Sequence, residues 1–256
     1  MGEILVYIFE ILGHTVGILL FFSLLFSIQS SAFQIVLQKS FSSFSNLIIY
    51  PFVIIHEMGH LIFAIIFTQK VHEVKLLSFR TGATLGYVKM SKVPTNSKIR
   101  KFYQNMGDFF IGFAPIIVGS GLFAIIFRAL KPEISKSLWE FSLNSFNGIA
   151  FLKQLFSMDI YKYLFSFDII LTIIILFMVA SLVNLSDTDW ECGLNGLNYF
   201  VIFLIGFIII FHSFSWFGTL SFNIIAISKY VSLLLLYVSF YGGILAFLFS
   251  LLPRRR

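Results

Sequence analysis

Long apolar stretches alternate with shorter polar stretches along most of this chain. Several apolar stretches are close to the roughly 20 residues that an α-helix needs to cross a bilayer. The predicted spans are residues 4–26, 47–67, 109–130, 168–186, 197–218 and 231–252. We therefore predict an all-α polytopic membrane protein with about six transmembrane helices, organised as one membrane-embedded domain over residues 1–256.

Two segments do not follow this pattern. Residues 71–90 contain two short runs rich in Val, Leu and Tyr on either side of Arg80, Thr81 and Gly82, which predicts two strands around a turn. Residues 132–167 mix aromatic and polar side chains, which is typical of an interfacial or re-entrant helix. The fold is thus expected to carry a short β-hairpin-like segment beside its spans.

Composition supports the membrane assignment. Hydrophobic residues make up 58% of the 256 residues and charged residues only 12%, against about 25% charged residues in a soluble domain. Cys192 is the single cysteine, which excludes an intrachain disulfide and a cysteine-rich metal site. The first span lacks a basic start and a small-residue cleavage site, so we interpret it as a permanent helix.

The positive charges are grouped, and the grouping predicts an orientation. One group lies between the second and third predicted spans and consists of Lys70, Lys75, Arg80, Lys89, Lys92, Lys98, Arg100 and Lys101. The other is the tail at residues 254–256. With six spans both groups fall on one side, which the positive-inside rule makes cytoplasmic. Both termini are then cytoplasmic, and the net charge of +6 needs no nucleic-acid partner.

The most informative motif is His56, Glu57, Met58, Gly59 and His60 inside the second span. On a helix the two histidines are one turn apart, so both imidazoles project from one face and can share one Zn²⁺. The glutamate follows the first histidine and is placed to take a proton from a metal-bound water. Ionisable groups inside a span cost about 2.5–3.5 kcal/mol each, which favours a site over packing. The alternative is a hydrogen-bonded helix interface.

A catalytic zinc site usually has three protein ligands, so a third ligand is required. Asp187 and Asp189 follow the fourth predicted span, which runs inward and ends at the depth of the histidine motif. Either carboxylate is a candidate ligand. The alternative is a solvated acidic loop at a helix end.

Other polar residues have simpler interpretations. Glu10 and His14 lie one turn apart in the first span, where they could support the metal ligands or relay protons, or could hydrogen-bond to each other and a neighbouring helix. We expect His72 to be a surface residue and His212 to lie at the membrane interface.

The histidine motif in an apolar helix resembles that of the site-2 protease family, the intramembrane zinc metalloproteases. The resemblance extends at low resolution over residues 47–200, including the hairpin-like segment and the Gly/Pro-containing stretch at residues 112–115. It implies a zinc ligand from a downstream aspartate, strands beside the active site, and substrates that are membrane-anchored proteins or peptides. Edge pairing with those strands could hold an unwound substrate.

The chain departs from the common family pattern because it has neither the prolines nor the Asp-Gly pair near its downstream aspartates. The run from Ser186 to Asp189, followed by Gly193 and Gly196, instead resembles a variant found in small bacterial relatives. This register favours Asp189 as the ligand, with Asp187 as the fallback.

The resemblance thus implies a small bacterial-type zinc metalloendopeptidase without a PDZ domain, located in the cell membrane. One Zn²⁺ per chain would be bound by His56, His60 and Asp189, with Glu57 as general base. The competing class is a non-catalytic membrane protein, either a transporter or a peptide-binding immunity or regulatory protein. The spans show no evident two-fold repeat of the kind that many transporters have. The substrate's identity and the oligomeric state do not follow from the sequence.

Overall fold

The computed structural model describes residues 2–21, 23–24, 45–78, 85–130, 132–143 and 185–250. The described part is mostly helical, as predicted. Its elements in chain order are α1 (Gly2–Leu12), a π-helical segment (Gly13–Gly17), α2 (Ser45–Ile66), β1 (Lys70–Lys75), β2 (Tyr87–Ser91), α3 (Lys98–Gly112), α4 (Ala114–Leu130), α5 (Pro132–Leu143), α6 (Asp187–Phe211) and α7 (Ser215–Ser250).

Within the described residues, three helical stretches are long and apolar enough to cross a membrane. They are Ile4–Phe21, Asp187–Phe211 and Ser215–Leu236. Helices α3 and α4 together pass the same test but are bent by 56° at their junction, and α2 contributes a shorter apolar stretch, Tyr50–Ile66. The chain therefore has the helices of a membrane protein, but six spans are not confirmed. The predicted span 168–186 lies outside the described residues except at its last two positions.

The helix boundaries differ from those predicted by hydropathy. Helix α3 begins at Lys98, well before the predicted start at residue 109, because the Ser97 side chain accepts a hydrogen bond from the backbone N–H of Arg100. Helices α6 and α7 begin before the predicted starts at residues 197 and 231. Helices start where a cap satisfies the free N–H groups, and such starts are often polar. A hydropathy scan therefore misses the first turns.

The hairpin-like segment contains two antiparallel strands, as predicted. Lys75 pairs with Tyr87 and Val74 with Val88, and the register shifts between Val71 and Glu73. The predicted turn at residues 80–82 lies outside the described residues. On one face of the sheet Lys89 lies 2.8 Å from the Glu73 carboxylate, and its hydrogen bond, together with that of the Tyr87 hydroxyl, keeps the pKa of Glu73 below its ordinary value. Side chains alternate along a strand, so Val74, Val88 and the preceding Gly86 lie on the other face.

The base of this sheet is attached to α3 through Asp108, a buried carboxylate. Gln69, just before β1, donates a hydrogen bond of 2.8 Å to one carboxylate oxygen. Lys92, just after β2, lies 2.5 Å from the other oxygen and also donates to the Asn105 side chain. The Asp108 carboxylate therefore holds the end of the sheet at which β1 begins and β2 ends. The other end, at which β1 ends and β2 begins, is directed toward α2.

The main hydrophobic core lies between the helices and is rich in phenylalanine. Phe109 of α3 stacks on Phe200 of α6 with ring centroids 4.4 Å apart. Helix α5 covers the first part of the region predicted to be interfacial or re-entrant, and the remainder of 144–167 lies outside the described residues. The Ser135 hydroxyl of α5 is 2.5 Å from the Tyr230 hydroxyl of α7. The phenylalanine stacking holds α3 against α6, the pair that shapes the candidate site, whereas the hydroxyl pair joins α5 to α7.

Candidate metal centre

Helix α2 carries three ionisable side chains of the candidate site within little more than one turn. His56 and His60 project from one face, with ring centroids 4.9 Å apart. Glu57 and His60 are buried, with exposed fractions of 9% and 5%. Gly59 lies between them, and a Cβ at this position would be 3.4 Å from the backbone of Ala114. The helix can therefore pack closely on α4 at the level of the site.

One hydrogen bond determines how His60 can act as a ligand. Its Nδ1 lies 2.8 Å from the backbone oxygen of Ile111. A carbonyl oxygen only accepts hydrogen bonds, so Nδ1 must carry the proton and donate. The Nε2 lone pair of the neutral ring is then free for a metal ion, and the ring orientation is fixed in the way typical of metal-ligating histidines.

Asp189 approaches the two histidines from α6, more than 120 residues further along the chain. One of its carboxylate oxygens lies 3.2 Å from Nε2 of His60, and the other lies 3.7 Å from Nε2 of His56. The sequence led us to expect Asp189 at the inner end of a fourth span. The structure instead places it in the first turn of the following helix, because Ser186 caps α6 and begins it at Asp187.

The cap of α6 also orients the Asp189 carboxylate. Ser186 and Asp189 form a capping box, in which the Asp189 N–H donates to the serine hydroxyl and the Ser186 N–H donates to Asp189 Oδ2 at 2.8 Å. The serine hydroxyl itself donates to the same oxygen at 2.7 Å. The positive end of the helix dipole favours a negative charge here. The carboxylate is thus held as an anion with Oδ1 directed at His60.

The donor set fits a metal ion. The ligand atoms of His56, His60 and Asp189 all lie within 4.8 Å of one another. Ligands about 2.1 Å from a tetrahedral zinc are about 3.4 Å apart, and the two histidine–aspartate distances of 3.2 Å and 3.7 Å bracket that value. This group of residues could therefore bind a metal ion, and two imidazoles with one carboxylate form a set that suits zinc.

Glycines allow α6 to approach α3 closely enough to deliver Asp189. Gly193 and Gly196 follow Asp189 at one and two turns, so all three lie on one face of α6. A Cβ at Gly196 would lie less than 3.0 Å from the backbone of Asp108 and Phe109, and a Cβ at Gly112 would collide with the backbone of Gly193. Small residues at such a crossing are typical of packed membrane helices.

The end of the sheet at which β1 ends and β2 begins contacts Glu57. A Cβ at Gly86 would lie 2.8 Å from Cγ of Glu57 and 2.9 Å from the backbone oxygen of Leu76. The entrance to β2 thus lies directly against the side chain of the predicted general base.

The remaining predicted residues lie apart from this group in the described part of the chain. Asp187 is exposed at the first position of α6 and does not join the two histidines. Glu10 is exposed on α1, and the buried Nδ1 of His14 has no hydrogen-bond partner among the described residues. His72 is exposed, as expected, and hydrogen-bonds to Ser91. His212 caps the end of α6 and donates from Nδ1 to the Ile209 carbonyl.

Three contributors to the site were not predicted. Ser186 had a visible signal, because a serine followed three residues later by an acidic residue, before an apolar run, is a capping-box pattern. The Ile111 carbonyl had none, because every residue carries a backbone oxygen. Gly86 was visible only as a glycine in a strand, which suggests close approach of another group without identifying it.

Comparisons with protein-family models, with curated proteins and with solved structures give no match for this chain. The function of the centre therefore has to follow from its own geometry and chemistry.

Proposed function

We propose that this protein is an intramembrane zinc metalloendopeptidase, similar to the site-2 protease family, that hydrolyses a peptide bond in a membrane-associated protein or peptide. The observation that carries the proposal is the meeting of Asp189 with His56 and His60, with Glu57 buried next to the first histidine. A hydrogen-bonded helix interface accounts less well for His60, because its Nδ1 proton is donated to Ile111 and the Nε2 of the neutral ring has no proton to donate to Asp189.

Each residue has a defined task in this proposal. His56 and His60 would bind the metal through Nε2, and Asp189 would supply the third, anionic ligand. When bound, zinc polarises the scissile carbonyl and makes the attacking water more acidic. Glu57 would accept the proton of that water and return it to the leaving amine. Ile111 and Ser186 would keep His60 and Asp189 in orientation through the hydrogen bonds described above.

The membrane setting indicates how the protein is oriented and how water reaches the site. The described apolar helices support a membrane location, and the basic groups favour a cytoplasmic side for both termini and for the sheet. The site lies on the apolar helix α2, which directly precedes the first group of basic residues. We therefore expect a polar cleft open to the cytoplasm to supply the water for hydrolysis. A bacterial cell membrane is the expected location.

The decisive test is cleavage by the Glu57→Gln variant. This change keeps the size of the side chain but removes the base, so we expect zinc to remain bound and proteolysis to be lost. Comparative peptidomics of cells carrying wild type or variant would reveal products that disappear. Unchanged product levels in the variant would refute the enzymatic proposal.

A matched pair of substitutions tests the ligand set. Asp189→Asn should lower zinc affinity by at least tenfold, whereas Asp187→Asn, which is exposed in the same turn, should leave it unchanged. A metal-free wild-type protein, purified without chelators, would instead favour the non-catalytic transporter or immunity class.

A further inference from the structure

The strand ends beside Glu57 continue as a short pairing beyond the regular sheet. The Ser78 backbone N–H donates a hydrogen bond of 2.5 Å to the Leu85 oxygen. Leu85 immediately precedes Gly86, whose backbone lies against the Glu57 side chain. The Ser78 backbone therefore pairs with the residue that immediately precedes the contact between Gly86 and the predicted general base.

Ser78 carries a buried hydroxyl that has no evident structural task. Only 4% of the residue is exposed, and its Oγ has no hydrogen-bond partner among the described residues. A buried hydroxyl without a partner costs about 1–3 kcal/mol, and buried polar side chains are rarely left in this state. A group that is absent from the isolated chain would satisfy it.

We propose that the Ser78 hydroxyl donates a hydrogen bond to a backbone carbonyl of the peptide substrate next to the scissile bond. This inference rests on the proposed peptidase function and deepens it. A peptide whose scissile bond is within reach of Glu57 passes the sheet end at Gly86, and its carbonyl oxygens are the acceptors that a serine hydroxyl needs. Ser78 is then a substrate-contacting residue whose hydroxyl gains its hydrogen-bond partner when the substrate binds.

The test compares two probes on the zinc-loaded, detergent-solubilised full-length protein. Acetohydroxamic acid binds a metal but has no peptide part, whereas a leucine-containing dipeptide hydroxamate adds backbone carbonyls. In Ser78→Ala we expect affinity for the dipeptide hydroxamate to fall about five- to tenfold, the effect of one lost hydrogen bond. Affinity for acetohydroxamic acid should not change. Ser78→Cys, which keeps the size but is a weaker donor, should give an intermediate loss.

The thermal unfolding midpoint distinguishes substrate contact from a structural role, because loss of a structural hydrogen bond would lower the midpoint. Because the hydroxyl has no hydrogen-bond partner in the described part of the chain, Ser78→Ala should leave the thermal unfolding midpoint unchanged or raise it. The matched control is Ser91→Ala, an exposed serine on the same sheet that hydrogen-bonds to His72. This variant should bind both probes like the wild type.

Each remaining outcome overturns the inference. Equal affinity of Ser78→Ala and wild type for the dipeptide hydroxamate, with acetohydroxamic acid still bound, would remove the role of Ser78 alone. A lower unfolding midpoint for Ser78→Ala would show that the hydroxyl has a structural partner. Failure of the wild type to bind acetohydroxamic acid would overturn the metal proposal, and this one with it.

Discussion

Replacing Gly196 by alanine should damage the metal centre from two helical turns away. The added Cβ would lie 2.8 Å from the backbone carbonyl carbon of Asp108 and closer still to the backbone nitrogen of Phe109. Both are main-chain atoms of α3 that cannot rotate aside. Ordinary contact needs about 3.4 Å, and the Phe109 nitrogen would lie only 2.0 Å from the new Cβ, so the two backbones must separate by about 1.4 Å at this point.

That displacement is large compared with what a metal site tolerates. Ligand distances in zinc sites hold within about 0.2 Å, and Asp189 lies on the same face of the same helix as Gly196. We expect Gly196→Ala to lower zinc affinity about 10- to 100-fold, as for other perturbations around a metal site, and to destabilise the fold by about 1–3 kcal/mol.

A glycine on the same helix provides the matched control. A Cβ at Gly206 would meet nothing within 4 Å among its described surroundings, so Gly206→Ala should bind zinc normally and be at least as stable as the wild type. Zinc affinity can be measured by competition with a chromogenic chelator, and stability by thermal unfolding in detergent. If Gly196→Ala binds zinc like Gly206→Ala, the close approach of α6 to α3 does not position Asp189, and the packing argument is wrong.

Two further substitutions test how the sheet is held against the site. Gly86→Ala should lower kcat about tenfold without changing zinc stoichiometry, because the new Cβ would displace Glu57 but no metal ligand; an unchanged kcat, measured on a cleavable peptide, would contradict this contact. Asp108→Asn should destabilise the protein by about 1 kcal/mol, since Lys92 is partly exposed and can turn toward water. A double-mutant cycle with Lys92→Met, followed by thermal unfolding, should give a coupling of similar size, and zero coupling would remove the proposed attachment.

The parts of the site that depend on local spacing could be predicted from the sequence. The common face of His56 and His60 follows from helical geometry alone, and the two short runs rich in Val, Leu and Tyr around residues 80–82 predicted the strands. The proximity of Asp189 could not be derived in this way, because it depends on how two distant helices cross. The predicted span topology made Asp187 and Asp189 equal candidates, and only the resemblance to a family pattern favoured Asp189.

The errors have physical causes. Hydropathy detects only apolar runs, and residues 186–196, which include the cap and first turns of α6, are mostly polar. The start of this helix is therefore hidden unless the Ser186 cap is recognised. The same limitation placed the start of α3 too late, because the first turns of that helix are charged. What a glycine contacts depends on tertiary packing, so the roles of Gly86 and Gly196 could not be read from their neighbours in sequence.

The most direct test of the metal centre is X-ray absorption spectroscopy at the zinc edge on the purified full-length protein. We expect one zinc per chain with two imidazole ligands and oxygen ligands completing the shell, and an altered spectrum or lost zinc in Asp189→Asn but not in Asp187→Asn. A protein without zinc, or a spectrum with no imidazole scattering, would show that His56, His60 and Asp189 do not form a zinc centre.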